Sequence, residues 1–191
     1  LVLLLTGCAA PAPPVAELNA SYEQALTRTA PLAADFEPGG DAERAALDRV
    51  QDYFTRLNPV AVRAKTAAVY APGAYLNDTL AAVEGADAIE SYFVGTTTRA
   101  RLLDVRFLDR AKAGTDYYVR WRMTVEADGL NGGQPVVTYG VTQFRFDGDG
   151  RVLIHKDFWD AGTGLYEQLP GIGGLVRRVR GSAYPHRPTP H

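Results

Sequence analysis

QFRFDGDGRVLIHKDFWD, residues 143–160, decides the fold. Two runs rich in aromatic and β-branched residues flank Asp147-Gly148-Asp149-Gly150, and an Asp-Gly pair between such runs predicts a tight antiparallel hairpin. In the second arm Leu153, His155, Asp157 and Trp159 alternate, so a strand places them on one face. Ile154, Lys156, Phe158 and Asp160 fall on the other. A His, an Asp and a Trp together suit a pocket wall better than a core wall.

Working upstream, 135–147 and 115–127 read as strands joined across DGLNGG (128–133), and 100–109 as a fourth. With 151–160 they make an antiparallel meander. On 115–127, Tyr117, Val119, Trp121, Met123 and Val125 form an apolar face, with Arg120 and Arg122 opposite. Ahead of the meander lie three helices. Residues 41–58 carry Asp41 as N-cap and an apolar stripe at Ala45, Leu47, Val50, Phe54 and Leu57. Asn58-Pro59 ends that helix. A second helix follows at about 60–68, and a third at 85–97. Between them VYAPGAYLNDT (69–79) reads as a turn and a short strand. The order predicts an α+β domain, with helices packed on one curved antiparallel sheet.

The chain has 191 residues, 46% hydrophobic and 22% charged, which fits one globular domain with tails. A net charge of −2 and the lack of a basic stripe argue against nucleic acid as a partner. One cysteine, Cys8, rules out an intrachain disulfide. Three His without clustered Cys call for no metal, and no motif calls for a cofactor. Residues 9–40 are rich in Ala and Pro and read as a tether, with a short helix near 18–28. After the last strand, AGTGLYEQLPGIGGLVRRVRG (161–181) predicts a helical turn, a Pro break and a basic amphipathic helix. This extra C-terminal segment is apolar enough to lid a cavity or to plug it. Its helix has a second reading, as one lying on a membrane surface, because Arg177, Arg178 and Arg180 flank Leu175, Val176 and Val179. Residues 182–191, with three prolines, read as a disordered tail.

LVLLLTGCAA (1–10) resembles the end of a bacterial lipoprotein signal peptide, with Leu5-Thr6-Gly7-Cys8 as its lipobox. The resemblance implies that 1–7 is a signal remnant and that Cys8 is lipidated. It also implies that 8–40 tethers a domain at 41–181 to the cell envelope. No Asp follows the Cys, which in that family points to the periplasmic face of the outer membrane.

VQDYFTRLN, YAPGAYLND, GADAIESYF, QFRFDGDGRV and HKDFWD, in this order, resemble the nuclear transport factor 2-like superfamily, and within it the SnoaL-like and ketosteroid isomerase-related proteins. The resemblance covers about 41–160. It implies a cone-shaped sheet wrapped by the helices, a deep cavity for a small apolar or carbonyl-bearing molecule, and a homodimer as a common assembly. By resemblance to ketosteroid isomerase, Tyr53 takes the place of the catalytic tyrosine and Asp78 that of the general base. Thr142 stands where the second oxyanion donor is an acid. By resemblance to limonene-1,2-epoxide hydrolase, Tyr75 and Asn77 match a water-holding pair, Arg122 an arginine and Asp157 an acid. Thr124 replaces the water-activating Asp. Trp121, Phe144 and Trp159 complete the expected ligand wall, and His155 pairs with Asp157 as an acid–base couple. Plainer roles stay open: an ion pair or helix cap for Asp157, a core tyrosine for Tyr53, a turn residue for Asp78. Asp78 has the opposite strand parity to Tyr75 and Asn77, so a regular strand shows the cavity only one of these sets.

Overall fold

The structure, a computed structural model, describes residues 13–183. Cys8, the lipobox and the tail from 184 lie outside the described residues.

Six strands form one sheet in the order β2-β1-β6-β5-β4-β3. They are β1 (Tyr70–Asn77), β2 (Ala82–Glu84), β3 (Ala100–Ala113), β4 (Asp116–Ala127), β5 (Val136–Phe146) and β6 (Val152–Trp159). The meander β3-β4-β5-β6 is antiparallel as the turn signals predict. Asp147 closes its last hairpin, its Oδ1 accepting from the backbone N–H of Asp149 and Arg151 at 3.0 and 2.8 Å. The sheet is nevertheless mixed rather than antiparallel throughout, because β1 runs parallel to β6. A register shift between Arg145 and Phe146 places a bulge at Leu153. Val152, His155, Asp157 and Trp159 therefore face inward, while Leu153 leaves the face that strict alternation gives it.

Three helices cover the concave face: α2 (Asp41–Phe54), α3 (Pro59–Val69) and α4 (Ala86–Thr98). In α2 the buried stripe is Ala46, Leu47, Val50, Tyr53 and Phe54, one residue out of phase with the expected Ala45. Gly40, not Asp41, is its N-cap, and Glu43 reaches back to the Gly39 N–H at 2.8 Å. The helix stops at Phe54 rather than 58, since Arg56 turns the chain at φ +50°. Asn58 then caps α3, its Oδ1 accepting from Val60 and Ala61 N–H, with Pro59 at the first helical position. The core lies between these helices and the sheet, around Tyr53, Phe54, Tyr70, Phe93, Phe144 and Phe146.

The largest departure is at the N-terminal side. A 15-residue helix α1 (Val15–Thr29) lies on the opposite, outer face of the sheet. Its Ala25 is buried against Tyr75 and Ile154, with Tyr22 beside them. This part of the expected tether is packed structure. After β6 the chain makes a short helix α5 (Ala161–Gly164), a turn at Tyr166–Gln168 and helix α6 (Gly173–Ser182). Among the described residues no helix is long and apolar enough to cross a membrane.

Candidate functional site

A cavity of about 470 Å³ opens between the concave sheet and α4, within the size range of small-molecule sites. Its wall is mostly apolar, with Phe54, Phe93, Phe107, Trp121, Phe144 and Trp159 among the aromatic contributors. Leu165, Leu169, Pro170 and Ile172 of the C-terminal segment line it too, so that segment walls the cavity and leaves it open inside.

The polar floor follows from strand register. Thr142 on β5 pairs directly with Asp157 on β6, and Phe144 with His155. Cross-strand partners have neighbouring side chains, so the Thr142 hydroxyl donates to Asp157 Oδ1. Trp121 on β4 faces Gly140 on β5. A Cβ at Gly140 would lie 2.3 Å from the indole, so glycine is what lets Trp121 lie flat across β5. From there its Nε1–H donates to Thr142 Oγ1 at 2.8 Å.

His155 approaches Asp157 from the other side. Its Nε2 lies 3.0 Å from Asp157 Oδ1, and its Nδ1 2.8 Å from the Tyr70 hydroxyl. A carboxylate only accepts, so Nε2 carries the hydrogen. Complete burial pushes the Tyr70 phenol well above its ordinary value, which keeps it a donor to Nδ1. Phe54 and Phe144 meet the imidazole edge-on, with ring centres 5.5 and 5.0 Å away, and hold its orientation. Two donor chains thus end on one atom, Asp157 Oδ1. Asp157 Oδ2 has no protein hydrogen bond among the described residues, and Asp157 lines the cavity.

Asp78 lines the same cavity, but its oxygens are occupied. Oδ1 accepts from the Leu80 and Ala81 N–H groups at 3.0 and 2.9 Å, and Oδ2 from the Tyr92 hydroxyl. The turn is tight enough to hold Thr79 at φ +81°, an uncommon conformation for a β-branched residue. Burial raises the Asp78 carboxyl above the usual carboxylate range, and the nearby Asp157 charge adds to this. Between the unfolded and the folded pKa, the folded protein holds a proton that the unfolded chain has released. The stability this contributes is full below the unfolded pKa and is lost as pH rises through the folded one. Asp78→Asn, which stays neutral, is expected to gain on the parent between about pH 4 and about pH 7. Melting temperatures of both proteins at the two pH values check this. A difference that stays constant or moves the other way contradicts it.

Several expected site residues lie elsewhere. Tyr53 does not line the cavity. Its hydroxyl is bonded to Thr66 Oγ1 at 2.9 Å, and burial pushes its pKa to about 12. Tyr75 and Asn77 point to the outer face, because the end of β1 that pairs in regular register with β6, Tyr75–Asn77, turns only the parity of Leu76 and Asp78 toward the cavity. There Tyr75 shares a hydrogen bond with Ser21 of α1, and Asn77 Oδ1 accepts from Lys156 Nζ at 2.9 Å. Arg122 also lies outside the cavity, with Nη1 donating to Thr124 Oγ1 at 2.9 Å. The epoxide hydrolase-like set is therefore split by the sheet, Asp157 within and Tyr75, Asn77 and Arg122 without. Trp121, Thr142, Phe144, His155, Asp157 and Trp159 do line the cavity. Asp160 caps α5 by accepting from the Thr163 N–H.

Three residues were not anticipated. Tyr70 and Tyr92 supply the phenol donors behind His155 and Asp78. Thr138 lines the cavity, and its buried hydroxyl has no partner among the described residues. Its position was available in the sequence, since 138, 142 and 144 share strand parity on β5.

A SnoaL-like domain model matches residues 50–155, more than half the chain. The chain belongs to the SnoaL-like family. No match emerges among curated proteins. Among solved structures, the SnoaL-like chain is similar to a proposed SnoaL-like polyketide cyclase from Jannaschia sp. CCS1, at 21% identity and a TM-score of 0.56, over 72% of this chain and 98% of that one. It is similar to an LEH-like epoxide hydrolase of M. tuberculosis at 15% identity and a TM-score of 0.55, over 77% and 96%. A protein with a ketosteroid isomerase-like fold from Catenulispora acidiphila DSM 44928, in complex with trimethylamine, matches at 16% identity and a TM-score of 0.55, over 65% and 91%. At these identities the likeness is one of fold, a SnoaL-like cone, and the chemistry has to be argued from the cavity itself.

Proposed function

We propose that this SnoaL-like chain is an envelope lipoprotein whose cavity binds a compact, mostly apolar molecule, and that Asp157 exchanges a proton with it. One observation carries the proton-transfer reading. Asp157 Oδ1 is fixed by Thr142 and His155, while Oδ2 has no partner among the described residues and lies in an apolar cavity. A carboxylate aligned in this way acts as a general base toward a C–H next to a carbonyl. The polyketide cyclase and epoxide hydrolase descriptions of the structural neighbours agree with a carbon-rich substrate. Epoxide opening by their route is not supported, because the matching Tyr75, Asn77 and Arg122 lie on the other side of the sheet. The Leu5-Thr6-Gly7-Cys8 box supports lipidation at Cys8 and an envelope location.

A second reading, binding without turnover, is favoured by Thr142 standing where ketosteroid isomerase has an acid. One experiment tests the binding that both readings share. The chain has two tryptophans, Trp121 and Trp159, and both line the cavity. Titration with cyclic enones, lactones and epoxides should give a saturable change in tryptophan emission. It should also raise the stability by roughly 2.7 kcal/mol at a hundredfold excess over Kd. Val136→Phe, which adds bulk to the wall, should weaken binding at least tenfold. No change in emission with any of these compounds would refute a small-molecule cavity.

A further inference from the structure

Ile172, Leu175, Val176 and Val179 follow the i, i+3, i+4, i+7 spacing of an amphipathic helix, and such a stripe ordinarily faces a core. In α6 it faces outward. Ile172 is 43% exposed, and Leu175 and Val179 are each 64% exposed. The helix is anchored at one end and through its arginines. Gly173 is buried so close to Glu167 that a Cβ would lie 2.3 Å from the Glu167 carbonyl oxygen. Arg177 Nη1 donates to that carbonyl oxygen at 2.9 Å, and Arg180 Nε lies 2.7 Å from Glu167 Oε1. These contacts fix α6 beside the cavity mouth with its apolar stripe in solvent. Residues 173–182 contain three arginines and no acid. Arg178 is exposed and has no ion pair among the described residues, and the same holds for Arg99 on the cavity wall.

We propose that α6 docks on an anionic lipid surface, its apolar stripe entering the interface and the unpaired Arg178 meeting the headgroups. A second copy of α6 is the weaker occupant, because it would bring like charges together. An anionic bilayer satisfies both the apolar stripe and the cations. Ile172 lines the cavity and also begins the stripe, so docking sets the mouth against the membrane. The docking goes beyond the proposed function and does not depend on turnover in the cavity or on a lipid at Cys8.

The test uses the full chain with Cys8→Ser and a new cysteine, Val179→Cys, carrying an environment-sensitive NBD label. A second protein carries the label at Tyr139→Cys, on the outer face of the sheet. Vesicles of phosphatidylcholine mixed with phosphatidylglycerol should raise the emission at 179 severalfold, and vesicles of phosphatidylcholine alone should raise it little. The label at 139 should stay unchanged. Arg178→Glu should weaken partition by about tenfold or more, as expected for two units of charge near the surface. Leu175→Asp, at an exposed position, should weaken it without changing the melting temperature. No response at 179, or an equal response at 139, overturns the proposal. A rise at 179 with protein concentration in the absence of vesicles also overturns it, in favour of a second copy.

Discussion

Replacing Asp157 with Asn is expected to cut turnover of any substrate found for the cavity by about 10²- to 10⁴-fold, the usual contribution of a general base. The substitution is nearly isosteric. The amide oxygen of Asn can still accept from the Thr142 hydroxyl and from His155 Nε2, so the two donor chains keep an end point. What is lost is the anionic oxygen able to take a proton. Melting temperature and tryptophan emission should therefore stay close to the parent, and ligand affinity should change far less than kcat. Asp78→Asn supplies the contrast. Its carboxylate already accepts two backbone N–H groups and the Tyr92 hydroxyl, which leaves little capacity for a substrate proton. Its turnover should fall by less than tenfold. Initial rates of both variants, each with a melting curve, settle which carboxylate works. A dead Asp78→Asn beside an active Asp157→Asn would reverse the assignment. Full activity in both would remove both carboxylates as the base.

These two carboxylates also show how far a sequence can be read. His155, Asp157 and Trp159 were legible because alternation along a strand is a local property, and DGDG fixed where the strand begins. The bulge at Leu153 was not legible, since it arises from register with β5. Whether Asp78 or the pair Tyr75 and Asn77 meets the cavity is a matter of strand parity. What resolves it is the parallel pairing of β1 with β6, whose partners lie far apart in sequence. Tyr53 shows a different failure. A core tyrosine was one of the two roles open to it, but the direction of its hydroxyl depends on Thr66 in the next helix. Tyr70, one strand away, took the position behind His155 instead. Helical periodicity says that a tyrosine is buried and does not say what its oxygen meets. The fold was therefore clearer than the site, because hairpins and stripes are short-range and a hydrogen-bonded constellation is not.

Arg145→Ala is expected to destabilise the protein by roughly 3–5 kcal/mol, the cost of breaking a buried ion pair by removing one partner. Arg145 binds Asp116 through two parallel contacts, Nε to Oδ1 at 2.6 Å and Nη2 to Oδ2 at 2.9 Å, and both side chains are largely buried. Its third nitrogen, Nη1, donates to the Leu26 carbonyl at 2.8 Å and to Thr29 Oγ1 at 3.0 Å, at the C-terminal end of α1. A cation there also meets the negative end of the helix dipole. Gln143 extends the network, donating to Asp116 Oδ2 at 2.8 Å and accepting from the Tyr22 hydroxyl. Without Arg145 the Asp116 charge keeps only Gln143, and α1 loses the clamp that holds it to the sheet. Urea unfolding should show the loss in midpoint, and limited proteolysis should cut first between α1 and α2. Converting both partners, Arg145→Leu with Asp116→Leu, should recover part of the stability, since no buried charge is then left alone. If residues 15–40 were a free tether, Arg145→Ala would leave cleavage there as fast in the parent as in the variant. The same clamp explains why composition misled at this point. Val15–Thr29 has few large apolar residues, and its attachment rests on an arginine and an aspartate more than eighty residues downstream of α1.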